Sequence, residues 1–150
     1  MSILTLLTGS SKNYMENLNH KLPSNIHSIA EVEKIIEKVR EELNLNDSNY
    51  GNILVALTEA INNAIKHGNQ FKDDKIVDLI IENNASHRLE FIVKDEGSGF
   101  DYSNLPDPTA PENIEKESGR GIFLMRNLAD EVKFSNNGSE VHLIFNISKN

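Results

Sequence analysis

The chain has 150 residues, enough for one domain with a sizeable core, and its 38% hydrophobic and 25% charged residues exclude a disordered or low-complexity segment. It contains no cysteine, which excludes a disulfide scaffold, a thiolate zinc site and a cysteine nucleophile. The formal charge of −8 argues against nucleic-acid binding, and no apolar run approaches the roughly 18 residues that a membrane span needs.

The first half of the chain predicts one strand followed by two helices. Weak alternation of apolar and polar residues indicates a strand from Tyr14 to Leu22. Apolar residues spaced by three and four predict an amphipathic helix over about residues 27 to 44. The polar run from Asn46 to Ser48 offers N-cap residues for a second helix, which runs to about Lys66. Gly68 is suited to be the C′ residue that stops it.

The second half predicts two β-hairpins separated by a long loop and a helix. Residues 101 to 118 carry three prolines and little periodic pattern, which is typical of a functional loop in a compact domain. A helix follows over about Gly121 to Ala129, and the turn Asn136–Gly138 joins the strands of the closing hairpin. The four predicted strands are Ile76–Glu82, Leu89–Lys94, Glu131–Ser135 and Glu140–Ile147.

The order of these elements is β-α-α-β-β-loop-α-β-β, without repeats or a linker between domains. It predicts a single α+β domain over residues 1–150. The expected architecture is a two-layer α/β sandwich, in which helices gather on one face of a mixed, mostly antiparallel sheet.

The second helix carries a polar stripe beside its apolar face. Glu59 and Asn63 are four residues apart, and Lys66 and His67 continue the spacing. A rise of about 1.5 Å per residue separates Glu59 from Asn63 by about 6 Å along the axis. This distance would let the carboxamide hold Mg²⁺ at a phosphate chain while the carboxylate reaches a hydroxyl near the terminal phosphate. A solvated face is the alternative, and His67 is better explained as a partner of the helix dipole than as a catalyst.

An acid followed by two glycines ends the strand before the long loop. Asp95 comes directly after the apolar run Phe91–Val93, where a carboxylate needs a polar partner such as an exocyclic amine. Gly97 and Gly99 would let the backbone approach a flat ligand closely. An ordinary surface turn is the alternative explanation of this segment.

Two more glycines, Gly119 and Gly121, open the helix after the loop. They would bring backbone N–H groups and the positive end of the helix dipole to a phosphate, although an ordinary helix start is the alternative. The pattern is neither a Walker loop nor a dinucleotide-binding fingerprint. An anionic nucleotide requires local compensation in so acidic a chain. Lys66, Lys116 and Arg120 lie near the motifs, and a divalent cation could supply the rest.

The ordered set of motifs resembles the Bergerat-fold (GHKL) ATPases, which include gyrase and the histidine kinases. Glu-x-x-x-Asn looks like their N box, and Asp-x-Gly-x-Gly and the later Gly-x-Gly look like their glycine boxes. The chain is most similar to the anti-sigma-factor serine kinases, on the runs Asn63–Gly68 and Gly119–Leu124. The resemblance covers about Lys21 to the C-terminus. Pro108–Glu112 is similar to part of their ATP lid, which would span about residues 101–118.

The resemblance implies a role for each matched residue. Glu59 would be the polarising base, Asn63 the Mg²⁺ ligand and Asp95 the acceptor for the adenine amine. Ser139, which stands where a threonine is more usual, would share a water with Asp95. The other residues expected to bind or surround ATP are Lys66, His67, Gly97, Gly99, Lys116, Gly119, Arg120, Gly121, Ile122 and Phe123.

The motifs, through this resemblance, imply an ATP- and Mg²⁺-binding anti-sigma regulatory factor with protein serine/threonine kinase activity. The resemblance implies a STAS-type anti-anti-sigma protein as substrate, a sigma factor as a second partner and, by analogy, a homodimer. Two alternatives remain open: a nucleotide-dependent binding switch without phosphoryl transfer, and an ATPase subunit of a larger assembly. Because residues 1 to 10 lack the basic region and cleavage site of a signal peptide, a cytoplasmic location is the default.

Overall fold

The computed structural model describes residues 17–84, 87–103, 109–110 and 119–147. In chain order the elements are β1 (Leu18–Pro23), α1 (Ser28–Leu43), α2 (Asp47–Asn63), a π-helical turn (Ala64–Gly68), β2 (Ile76–Asn84), β3 (Arg88–Lys94), α3 (Arg120–Leu128), β4 (Glu131–Ser135), a 3₁₀ turn (Asn136–Gly138) and β5 (Glu140–Asn146). The start of the predicted first strand, most of the predicted lid and Lys116 lie outside the described residues. None of the described helices is both long enough and apolar enough to cross a membrane.

The sheet has the strand order β1-β2-β3-β5-β4, and both predicted hairpins form, one from β2 and β3 and the other from β4 and β5. The sequence predicts a mixed, mostly antiparallel sheet, and the pairings among the described strands are all antiparallel. β3 and β5 are neighbours although α3 and β4 lie between them in the chain. Because Lys94 pairs with Glu140, the end of β3 lies beside the start of β5. This pairing brings residues 95 and 139 together.

The hydrophobic core lies between the helices and one face of the sheet. Side chains alternate along a strand, so every second residue of β2, β3 and β5 points to the helices. Phe91 of β3 and Phe145 of β5 meet edge to face in this layer, with ring centroids 5.9 Å apart and an interplanar angle of 83°. The predicted helix over residues 27 to 44 is confirmed as α1. It contributes a buried stripe at Val32, Ile35, Ile36, Val39 and Leu43.

The second helix begins where the polar run predicts. Asn46 is the N-cap, with an extended backbone (φ −71°, ψ 165°), and its side-chain oxygen accepts a hydrogen bond of 2.7 Å from the Asn49 N–H. This bond satisfies one of the N–H groups that a helix start leaves without a partner. Buried residues of α2 then follow at helical spacing, at Ile53, Ala56, Leu57, Ala60 and Ile61. The cap and this stripe fix the direction in which the polar residues of α2 point.

Gly51, near the start of α2, lies in open space and provides a test of helix propensity. A Cβ atom built on this residue has no neighbouring atom within 4 Å. Gly51→Ala should therefore raise the free energy of unfolding by about 0.5–1 kcal/mol, because alanine loses less backbone freedom on entering the helix. Urea unfolding followed by circular dichroism measures the change. A variant less stable than the wild type would contradict the described environment of Gly51.

Candidate functional site

A cavity of about 320 Å³ opens between α2, the π turn, the end of β3, α3 and the turn between β4 and β5. Its lining is mainly apolar with a small number of polar groups, as is usual for a small-molecule site. The lining residues predicted from the sequence are Asn63, His67, Asp95, Gly99, Gly119, Ile122 and Ser139. Apart from α2 and the π turn, which are contiguous, the segments that form the cavity are far apart in the chain. The cavity therefore forms only when the whole domain folds.

The polar stripe of α2 is aimed at the start of α3. A Cβ atom built on Gly121 would lie 2.9 Å from Glu59 Oε2 and 3.1 Å from Asn63 Nδ2. Both side chains therefore converge on Gly121, which is buried. Only a residue without a side chain lets α2 and α3 approach this closely while the two polar groups stay in place.

The start of α3 has a left-handed cap. Gly119 is the N-cap with φ 85° and ψ −17°, a conformation that other residues rarely adopt. The Phe123 N–H returns to the Gly119 carbonyl at 2.9 Å, so the helix begins immediately after this glycine. The exposed N–H groups of a first helical turn and the helix dipole favour an anion at this end. Arg120, which is exposed, adds a positive charge at the same place.

Asp95 is held in position by backbone hydrogen bonds on both sides. Its N–H donates to the Ser139 carbonyl at 2.9 Å, which continues the pairing of β3 with β5 by one residue. Its Oδ1 accepts a bond of 2.7 Å from the Gly97 N–H. The carboxylate is half-buried and lines the cavity. Asp95 is thus a half-buried acidic group that the fold turns into a mainly apolar space, which the exposed Asp101 also lines.

Burial raises the pKa of the Asp95 carboxyl above its usual value of 3.8, and the Gly97 hydrogen bond and the charge of Lys75 act in the opposite direction. Because the folded protein then holds this proton more tightly than the unfolded chain, the ionised carboxylate opposes folding increasingly as the pH rises through the folded pKa. The stability of Asp95→Asn relative to the wild type should therefore increase from about pH 4 to neutral pH. Urea unfolding of both proteins across this range measures the difference, and a difference independent of pH would contradict the raised pKa.

The end of α2 differs from the expectation. The prediction that Gly68 is the C′ residue that stops the helix is wrong, because Gly68 is the last residue of the π turn and Asn69 (φ −90°, ψ −3°) is the cap. The Asn69 N–H reaches the Ala64 carbonyl, five residues back, at 2.8 Å. A glycine is needed at 68 for a different reason: an added Cβ would collide with the Asp95 carboxyl. Likewise, a Cβ on Gly97 would collide with the Gly68 carbonyl oxygen.

Gly68→Ala should therefore lower the free energy of unfolding by about 1–3 kcal/mol, since the Asp95 carboxyl would have to leave its position against the π turn. Urea unfolding measures this loss. Gly51→Ala is the matched control, because the same substitution in open space should stabilise the protein. If both variants were stabilised, the close contact between Gly68 and Asp95 would be disproved.

The turn between β4 and β5 forms another wall of the site. Asn136, Asn137 and Gly138 all have positive φ, at 50°, 57° and 94°. The Phe100 N–H donates to the Asn137 carbonyl at 2.7 Å, and a Cβ on Gly99 would collide with the same oxygen. The sequence predicts this turn from its Asn-Gly pair, but not its contact with the segment after Asp95.

Three aromatic rings pack together beside the cavity, and two of them line it. Phe100 and Phe134 meet edge to face with centroids 5.6 Å apart, and Tyr102 stacks on Phe134 at 4.7 Å. Phe100 and Phe134 line the cavity. The sequence analysis did not assign these rings, although Phe100 directly follows the second glycine of the Asp95 motif. Met125, which lines the cavity one helical turn after Ile122, was also missed and could have been found from that spacing.

The hydroxyl of Ser139 is directed differently from the expectation. It donates to the Asn136 carbonyl at 2.8 Å, within its own turn, while the Ser139 carbonyl accepts from Asp95. The residue therefore lies beside Asp95 as predicted, and its hydroxyl would have to rotate to share a water with the carboxylate.

The other predicted residues lie around the cavity without lining it within the described part of the chain: Glu59, Lys66, Gly97, Arg120, Gly121 and Phe123. Glu59 is half-buried and reaches Gly121, whereas Phe123 is 42% exposed on α3. The described residues contain no group of three or more His, Asp or Glu side chains that could hold a metal ion.

Comparisons with known proteins agree with this geometry. The family model of the histidine kinase-like ATPase domain matches residues 22–145. Curated relatives named "Serine-protein kinase RsbW", from Bacillus cereus (strain AH820) and Bacillus anthracis, are 26% identical over 124 residues, or 79% of this chain and 76% of each relative.

A solved structure shows the same fold. The chain containing the RsbU and RsbW domains of Rv1364c from Mycobacterium tuberculosis matches 91% of this chain with a TM-score of 0.63 and 14% identity. This protein spans 34% of that longer chain. The resemblance predicted from the motifs is confirmed, and the chain belongs to the histidine kinase-like ATPase domain family.

Proposed function

We propose that this protein binds ATP with Mg²⁺ and transfers the terminal phosphate to a serine or threonine of a partner protein. Membership of the histidine kinase-like ATPase family supports ATP binding, and the similarity to serine-protein kinases supports the transfer. The observation that carries the proposal is the convergence of Glu59 and Asn63 on Gly121, beside the cavity that Asp95 lines.

Asp95 is the residue that would select adenine over the other nucleobases. When ionised, its carboxylate can only accept hydrogen bonds, so it suits the 6-amino group of adenine and not the carbonyl that guanine has at the same place. Its partial burial strengthens this selection, because a mismatched group would leave a polar atom without a partner. The Gly97 N–H fixes Oδ1 at 2.7 Å, which leaves Oδ2 to the ligand.

The start of α3 and the end of α2 would hold the phosphates. The first-turn N–H groups of α3 and its dipole attract an anion. Arg120, the first residue of α3, and Lys66, in the π turn after α2, are exposed and add positive charge to these two segments. Mg²⁺, when bound with the nucleotide, neutralises part of the charge that develops on the phosphates. Asn63 is the residue that would ligate it, because its carboxamide lies in the cavity and reaches Gly121.

Glu59 would act as the base in the transfer. Its carboxylate would accept the proton of the substrate hydroxyl while that oxygen forms a bond to the terminal phosphorus. The bond between this phosphorus and the bridging oxygen breaks in the same step, and ADP leaves with the electron pair. The half-buried position of Glu59 next to the start of α3 supports this assignment.

The partner is inferred from the resemblance to the anti-sigma-factor serine kinases and not from a surface of this protein. We propose a STAS-domain anti-anti-sigma protein as the substrate and a sigma factor as a second partner, as expected for an anti-sigma kinase of the cytoplasm. A homodimer is also proposed by analogy with such kinases.

A second function is a nucleotide-dependent binding switch without phosphoryl transfer. It is favoured by the position of Glu59, which lies outside the lining of the cavity among the described residues. In such a switch, ATP would change the affinity for the partner protein without a chemical step.

Intact-mass analysis separates the two functions. A STAS-domain protein from the same genome is incubated with this protein, ATP and Mg²⁺, and its mass is measured. A gain of one phosphate supports the kinase. An unchanged mass together with a stable, ATP-dependent complex supports the switch, and an unchanged mass without a complex rejects both.

A further inference from the structure

We infer that Asn69, a residue outside every motif considered above, positions Asp95 for the recognition of adenine. Asn69 is fully buried, with 0% of its surface exposed, although it follows the π turn in a segment that is otherwise exposed. Burial of a carboxamide destabilises the folded protein unless all of its hydrogen-bonding groups have partners. The hydrogen-bond partners of Asn69 therefore indicate its role.

Every polar group of Asn69 has a partner. The side-chain Nδ2 donates to Ser24 Oγ at 2.6 Å and to the Ile76 carbonyl at 3.0 Å. The side-chain Oδ1 accepts from the Glu96 N–H at 2.7 Å. The backbone N–H donates to Ala64 at 2.8 Å and the carbonyl accepts from Lys72 at 3.0 Å. One side chain thus ties the β1–α1 connection and the start of β2 to the turn after β3.

The bond to Glu96 completes a series along the Asp95 turn. Three consecutive N–H groups have three different acceptors: the Ser139 carbonyl for Asp95, Asn69 Oδ1 for Glu96 and Asp95 Oδ1 for Gly97. The first bond belongs to the sheet and the third lies within the turn. The middle bond holds the peptide group between Asp95 and Glu96, and with it the next N–H along the turn, that of Gly97, which fixes Asp95 Oδ1.

The rest of the network keeps Asn69 itself in place. Ser24 is also fully buried, and its hydroxyl donates to the Lys75 carbonyl at 2.9 Å while it accepts from Asn69. The Glu96 carboxylate accepts from the Ile76 N–H at 3.1 Å. Ser24 thus supports Asn69 from the side away from the cavity, which makes it a matched control: its loss weakens the same network without removing the acceptor of the Glu96 N–H.

The inference rests on the proposed function, because it assumes that Asp95 recognises the 6-amino group of adenine. The test compares the affinities for ATP and for purine riboside triphosphate, which lacks this amino group, in the full-length wild type, Asn69→Ala, Asn69→Asp and Ser24→Ala. Calorimetry gives the dissociation constants, and urea unfolding gives the stability of each protein. All proteins are measured in the same concentration of sucrose, which favours the folded state.

We expect the wild type to prefer ATP by about tenfold or more, the preference that one charge-assisted hydrogen bond provides. Asn69→Ala should lose most of this preference. Ser24→Ala should be destabilised but keep the wild-type ratio, and Asn69→Asp should keep it too, since it retains an acceptor for the Glu96 N–H. If Asn69→Ala does not fold, Asn69→Asp still tests the inference, because a loss of the preference in that variant would contradict it.

A wild-type ratio in folded Asn69→Ala, or an equal loss of preference in Ser24→Ala or Asn69→Asp, would show that Asn69 only stabilises the fold. Failure of the proposed function looks different, because the wild type itself would then bind neither nucleotide. A wild type that binds both nucleotides equally would overturn the adenine recognition by Asp95, and with it this inference, but not ATP binding. A wild type that prefers ATP leaves only the inference at risk.

Discussion

Glu59→Gln should abolish most phosphoryl transfer and leave the affinity for ATP nearly unchanged. Glutamine keeps the size of the side chain and its contact with Gly121, but it cannot accept the proton of the substrate hydroxyl. Loss of a general base lowers the chemical step by roughly 10²–10⁴-fold. Radiolabel transfer to the partner protein measures the step, and calorimetry measures ATP binding.

The control for Glu59→Gln is the same substitution at Glu33, an exposed residue of α1 that is not part of the cavity lining among the described residues. Glu33→Gln should transfer phosphate at the wild-type rate. If Glu59→Gln also did so, Glu59 would not be the base, and the binding switch would become the better proposal. A large loss of ATP affinity in Glu59→Gln would instead assign the residue to nucleotide binding.

Asp95→Asn should weaken ATP binding by about ten- to a hundredfold, with transfer falling in parallel at subsaturating ATP. Asparagine can present an N–H donor to the adenine amine, and such a buried mismatch costs roughly 1–3 kcal/mol. Calorimetric titration with ATP and Mg²⁺ measures the loss. The variant should also be relatively more stable at neutral pH than in acid, because burial raises the pKa of the native carboxyl.

Asp73→Asn is the control for Asp95→Asn, since Asp73 is exposed in the segment after the π turn. It should bind ATP as the wild type does. If Asp95→Asn bound ATP normally, Asp95 would not be the residue that recognises adenine. Weakened ATP binding in Asp95→Asn, together with unchanged ATP binding and lost transfer in Glu59→Gln, would separate the residue that binds the nucleotide from the residue that takes part in the transfer.

The regular elements could be predicted from the sequence because their information is local. The 3/4 spacing of apolar residues in α1 places its stripe, and Asn46 marks the start of α2 by a capping bond that involves only its neighbours. The strands of both hairpins follow from short apolar runs joined by turn residues. Pairing of β3 with β5 was not predicted, since no local pattern specifies which of several strands becomes a neighbour in the sheet.

The site could be predicted only where it coincides with a motif. Glycine at 68 was noticed and wrongly explained as a helix stop, because the contact that requires it, with Asp95, is distant in the chain. Asn69 has no sequence signal at all, since a buried carboxamide and an exposed one look alike until their partners are known. The packed rings of Phe100, Tyr102 and Phe134 were not predicted for the same reason. The features that could not be predicted all depend on contacts between residues that are distant in the chain, and composition and periodicity carry no information about such contacts.

The place of β5 inside the sheet has a consequence for synthesis on the ribosome. β5 lies between β3 and β4, and it follows both in the chain. Until Glu140–Asn146 has left the exit tunnel, β3 lacks its second neighbour and the Asp95 N–H lacks the Ser139 carbonyl. The growing chain should therefore expose the unpaired backbone edge of β3 and remain unable to recognise a nucleotide until these residues emerge. Nucleotide capture by nascent chains of increasing length should begin abruptly at that point.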